Sequence, residues 1–201
     1  MRRPRKLPLT ALLLLWPIHL AGQATPNHAA DSTMQAGLVV LDQARAGYDF
    51  LKVYERLTPE VYDALVDAAR EHGMRVAGHV PAGVDLSHAI ASRQRSVEHL
   101  DGWAAAAQAQ DSPLLGQVTW TNESKAWKVV DPRKIEDLAR SAARAGTWNC
   151  PTLIVYQKWV APAETTHALA APELKYVPPA TLSFWRPENN YLGSFTQERI
   201  D

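Results

Sequence analysis

Between residues 32 and 156 the chain alternates helical and strand patterning, and this alternation limits the possible folds more than any other feature. Ser32 to Ala46 carries Met34, Leu38, Val39 and Leu41 at helical spacing, with Gly47 as a stop. Tyr48 to Tyr54 is aromatic and branched, a strand pattern. Thr58-Pro59-Glu60 offers an N-cap, a first-turn proline and an early acid, Val61, Leu65, Ala68 and Ala69 form an apolar stripe, and His72-Gly73 closes the helix. Met74 to His79 is the next strand, Asp85 to Arg93 a short helix bearing Leu86, Ala89 and Ile90, and Arg95 to Leu100 a third strand. Asp131-Pro132 starts a further helix with Ile135, Leu138, Ala139 and Ala142 on one side, Gly146 ends it, and Thr147 to Tyr156 reads as a fourth strand. Strands alternating with helices imply parallel β/α units whose strands end on one common edge. The expected fold class is α/β: four consecutive parallel units of a partial (β/α)8 TIM-type barrel, since the 201 residues fall short of the roughly 250 that a full barrel needs.

The flanks read differently. Arg2, Arg3, Arg5 and Lys6 precede an apolar stretch from Leu9 to Leu20 and the small residues Ala21 to Ala24, the pattern of a removable secretory signal over residues 1–24. Its apolar core is shorter than the ~20 residues of a permanent membrane span. A secreted or periplasmic protein with no membrane contact after signal removal is therefore expected. The barrel units would occupy residues 25–160, and residues 161–201, with Pro162, Pro172, Pro178, Pro179 and Pro187, read as a largely irregular tail with one short helix. Between Asp101 and Val130 lies a long connection with an alanine run and Trp103, Trp120 and Trp127, suited to a lid over a site or to packing alone. Equal numbers of acidic and basic residues give no electrostatic reason to expect nucleic acid, and a single cysteine, Cys150, excludes an internal disulfide framework.

Polar ligand-type side chains recur where three of these strands end. Lys52, His79 and His99 each stand near the end of a strand, and each is one helix plus one strand from the next. Neighbouring strands about 4.8 Å apart would let the three converge above one sheet edge, where imidazole is the commonest ligand of zinc and related metals. Any one of them alone reads as a packed or solvated residue. The other histidines do not share the recurrence: His72 ends a helix, His88 and His167 fall on helix or loop surfaces, and His19 and His28 lie in or near the leader.

The strings Tyr48 to Tyr54, Gly78-His79-Val80-Pro81 and Ser96-Val97-Glu98-His99-Leu100 resemble the middle of the metal-dependent amidohydrolases, in particular their imidazolonepropionase-like and prolidase-like secreted group. The resemblance runs from about Ser32 to Tyr156, with Pro151-Thr152-Leu153 looking like part of the seventh strand. It implies that Lys52 is carboxylated and bridges two divalent metals, zinc first among the candidates, and that His79 and His99 bind one of them. It further implies hydrolysis of amide, cyclic amide or dipeptide C–N bonds of a small molecule by a metal-activated water. An anionic lysine carbamate can hold cations that an ammonium would repel. Tyr54, two residues after Lys52, falls on the same strand face, where it can donate to a developing oxyanion or merely pack.

Strands four to seven of that family are represented, and units one to three and eight are not. No His-x-His pair exists in the chain, and after Tyr156 the only aspartate is Asp201. A partial barrel leaves open edges and an uncovered strand face, so pairing with a second copy is one expected route to stability. Two readings follow: an amidohydrolase-type enzyme, or a truncated, catalytically inactive relative with at most residual metal binding.

Overall fold

The computed structural model describes residues 26–153 and 171–189. Helix α1 (Pro26–Arg45) leads to β1 (Phe50–Val53), α2 (Pro59–Glu71), β2 (Arg75–Gly78), α3 (Leu86–Ala91) and β3 (Ser96–Glu98). Short helices α4 (Trp103–Ala106) and α5 (Glu123–Trp127) follow, then α6 (Pro132–Ala145) and β4 (Trp148–Cys150); α7 (Pro179–Trp185) lies between two 3-10 turns. The strands form one parallel sheet in the order β1-β2-β3-β4. Four successive parallel strands separated by helices are a partial TIM-type barrel. No helix among the described residues is long and apolar enough to cross a membrane. The expected leader, Pro162, His167 and the far part of the expected fourth strand lie outside the described residues.

Local chemistry accounts for the helix limits. The Thr58 hydroxyl accepts from the Val61 amide at 3.4 Å, Asp85 from His88 at 2.8 Å and Asp131 from Arg133 at 2.9 Å, each satisfying an amide that the first turn leaves unpaired. Gly146 ends α6 with φ 73°, a left-handed conformation in which a Cβ is strained.

Strand alternation divides the sheet into two unlike faces. Leu51, Val53, Val76 and Val97 are buried toward the helices, among Tyr62, Leu65, Val66 and Ala69 of α2 and Leu86, Ala89 and Ile90 of α3. On the other face lie Phe50, Lys52, Arg75, Ala77, Ser96, Glu98, Trp148 and Cys150, none of them buried. This second face would line the inside of a closed barrel.

Two expectations are corrected. The helical spacing puts Met34, Leu38, Val39 and Leu41 on the packed face of α1, but among its described side chains Ala36 and Val40 are the buried ones, while Met34 and Leu38 are 64% and 50% exposed. α1 packs closely on α2, and small side chains permit that approach where the larger ones would hold the helices apart. The fourth strand stops at Cys150 instead of running toward Tyr156. Pro151 has no amide to continue the ladder, and Thr152 turns the chain at φ 53°.

Candidate metal centre

The strand register places the polar residues at the C-terminal ends of the strands. Lys52 pairs with Ala77 and Gly78 with Val97, so His79 and Glu98 continue on the open face beyond Ala77 and Ser96. Gly78 makes the close approach possible. It has φ 123°, and a Cβ there would collide with the Val53 carbonyl oxygen, which accepts the His79 amide at 3.2 Å.

His99 arrives by a different route. Alternation from the buried Val97 would send it toward the helices, yet His99 and Leu100 both take left-handed backbone, φ 57° and 60°. Such a conformation costs about 1–2 kcal/mol per non-glycine residue. It brings the His99 ring to 4.9 Å from that of His79, and the His99 amide still donates to the Cys150 carbonyl at 2.9 Å.

The outcome is a mixed cluster. His79, Glu98 and His99 each offer one ligand atom, and these atoms all lie within 4.8 Å of one another. Glu98 Oε2 is 3.7 Å from His79 Nε2 and 4.0 Å from His99 Nε2. A tetrahedral zinc with bonds near 2.0–2.2 Å sets its ligand atoms roughly 3.3–3.6 Å apart, so the Glu98 distances need only a small contraction and the two imidazoles would draw together by up to about 1 Å; two imidazoles with one carboxylate also suit manganese, cobalt or iron. The donor set therefore fits a divalent cation.

His79 is held for that role. Its Nδ1 lies 2.8 Å from Asp101 Oδ2 and 3.7 Å from Glu55 Oε1. A carboxylate only accepts, so the hydrogen is assigned to Nδ1, which leaves the Nε2 lone pair directed toward Glu98. Tyr54 packs edge-on against the same imidazole at 4.4 Å between ring centroids, and His79 is buried although the face around it is open. Behind it, the fully buried Gln94 donates from Nε2 to the carbonyls of Gly78, His79 and Ser96, while Tyr62 donates its hydroxyl to Gln94 Oε1 at 2.9 Å. Burial raises the Tyr62 phenol to about 12, so it remains a donor throughout the neutral range.

Lys52 reaches the same centre across β2. Its strand partner is the small Ala77, over which the side chain extends so that Nζ donates to Glu98 Oε2 at 2.8 Å. The three residues singled out from the sequence, Lys52, His79 and His99, thus come together, with Tyr54 beside them and 58% exposed. Glu98, Asp101, Glu55 and Gln94 went unassigned in the sequence. Glu98 stands next to His99, and strand alternation was the signal that could have put it on the site's face.

Of the tryptophans in the long connection, Trp103 is buried and donates from Nε1 to Asn149 Oδ1 at 2.8 Å, Trp127 packs on the core, and Trp120 is exposed. Gln108 anchors this connection by donating to the carbonyls of Ala104 and Ala126. Glu123 of α5 is raised to about 7, chiefly by burial and then by the charge of Asp101. His88, away from the site, contacts Asp63 at 2.6 Å, and His72 caps α2.

No protein-family model matches the chain, and no curated protein does. Among solved structures the chain is similar to one described as "AH, Bottromycin amidohydrolase", at 24% identity and a TM-score of 0.42. The match covers 83% of this chain and 37% of that one, so the chain spans well under two thirds of that protein's length.

Proposed function

We propose that this chain carries the metal-binding part of a metal-dependent hydrolase acting on C–N bonds of amides or cyclic amides. The observation that carries the reading is the convergence of His79, Glu98 and His99 at the C-terminal ends of adjacent parallel strands, the edge on which barrels of this type place their chemistry. The sequence strings around Lys52, His79 and His99 support the choice of reaction. A divalent cation held by His79, Glu98 and His99 supplies Lewis acidity toward a carbonyl group and toward water.

The chain's own residues do the rest. Asp101 fixes the ring and tautomer of His79, and Gln94 fixes the backbone on either side of it. Tyr54 would donate its hydroxyl to the oxygen of a bound carbonyl group, a role supported by its exposure and its ring contact with His79. Carboxylation of Lys52 would turn a cation at this site into an anionic ligand, which is the role the sequence resemblance implies for it. Zinc is the first candidate metal, and the leader-like start of the chain points to a secreted or periplasmic protein.

Metal content of the purified chain after loading with zinc and removal of excess, measured by elemental mass spectrometry, tests the reading. About one or more ions per chain, absent from a His79→Ala/His99→Ala variant, is the expected result, and turnover of N-acyl amino acids, dipeptides or hydantoins should be lost with the metal. Zinc retained equally by the double variant would overturn the assignment.

A further inference from the structure

One oxygen in the centre has two competing uses. Glu98 Oε2 accepts from Lys52 Nζ at 2.8 Å and is also the atom that faces both His79 Nε2 and His99 Nε2. Glu98 carries a single negative charge, and the two imidazoles carry none when they act as ligands. An ammonium and a dication gathered around one carboxylate repel each other, so the charge of Glu98 can be well compensated by only one of them. We infer that Lys52, while it remains an unmodified ammonium, competes with a divalent cation for Glu98 and thereby sets how readily the His79–Glu98–His99 site fills.

The fold contains what this competition requires. Ala77, the β2 partner of Lys52, leaves a gap over which the lysine side chain crosses to β3. Lys52 is about half exposed and Glu98 about a quarter, so the pair can exchange partners without opening the core. Solvent screening at this exposure keeps the ion pair weak enough for a metal ion to displace. Lys52 is then a gate on metal entry in its ammonium form, distinct from the ligand it would become on carboxylation.

The inference rests on the metal site proposed above, and the experiment separates the two. Cobalt(II) is titrated into the full chain in carbon-dioxide-depleted buffer, with binding followed by calorimetry and by the visible ligand-field band, for the parent, Lys52→Met, Lys52→Arg, Glu98→Gln and His79→Ala/His99→Ala. Circular dichroism reports that each variant is folded. The expected result is about tenfold tighter cobalt binding by Lys52→Met, parent-like binding by Lys52→Arg, and strong loss in Glu98→Gln and in the double histidine variant. If Lys52→Met binds no tighter than the parent while the double histidine variant loses binding, the competition is refuted and the metal site stands. If the double histidine variant binds cobalt as the parent does, or no folded variant binds it, both readings fall.

Discussion

The same four strands present two faces built on opposite terms. Toward the helices, Leu51, Val53, Val76 and Val97 are enclosed by apolar side chains from α1, α2 and α3. Toward the open side, Phe50 is half exposed and Trp148 is 71% exposed, and Lys52, His79 and Glu98 are held by charge and hydrogen bonds instead of apolar packing. The difference teaches that stability and chemistry are separated by strand parity. Within the strands, a residue's place in the alternation decides whether changing it unfolds the chain or empties the site, while His99 reaches the site by leaving strand geometry after Glu98.

The largest expected effect lies on the covered face. Leu86→Ala removes a fully buried side chain and should cost about 2–5 kcal/mol in urea unfolding, with little change in cobalt affinity if unfolding and binding are separable.

Next comes the connection at the rim of the open face. Glu123 titrates at about 7 in the folded chain against an ordinary value of 4.5, so between those pH values the folded protein keeps a proton that the unfolded chain has released. Stability from this group is fully present below about pH 4.5 and is lost as pH rises through about 7. Glu123→Gln should flatten that part of the pH–stability curve, and an unchanged slope would mean that α5 does not bury this carboxyl in solution.

Asp101→Asn sharpens the comparison at the site. It should leave the urea midpoint nearly unchanged while lowering metal affinity about 10- to 100-fold, because the amide no longer fixes the His79 tautomer. Equal losses of stability and affinity would show that Asp101 serves the fold. The smallest effect is expected for Phe50→Ala on the open face, under about 1 kcal/mol including its contact with Arg75, whose guanidinium carbon lies 5.7 Å from the ring centroid. A cost as large as that of Leu86→Ala would mean that this face is covered in solution.

Much of this was legible in the residues alone. Thr58, Asp85 and Asp131 mark helix starts, Gly146 marks an end, and the α3 stripe is the face that the structure buries, while the α2 stripe holds at Leu65 and Ala69 but misses Tyr62 and Val66, with Val61 and Ala68 only partly buried. These signals are local: a cap or an apolar stripe needs only neighbours within a turn or two. The spacing of Lys52, His79 and His99 was legible because successive β/α units bring their strand ends to one edge, although the register aligns Lys52 with Ala77 and His99 arrives only through left-handed backbone. The packed face of α1 is not legible in its spacing, because it depends on how closely α2 can approach.

Linear order could not supply the rest, which depends on contacts between strands distant in sequence. Alternation puts Glu98 on the open face, and the register that aligns Gly78 with Val97 is what sets it beside His79. His99 joined it only through two left-handed residues that strand patterning does not announce. Gln94, a polar residue between a helix and a strand, proved to be the buried hub that ties Gly78, His79 and Ser96 together. Local propensity thus determined the elements and their order, while the tertiary structure decided which side chains share a charge. The reason is physical: electrostatic and hydrogen-bond partners act over a few ångströms, and only the assembled sheet sets those distances.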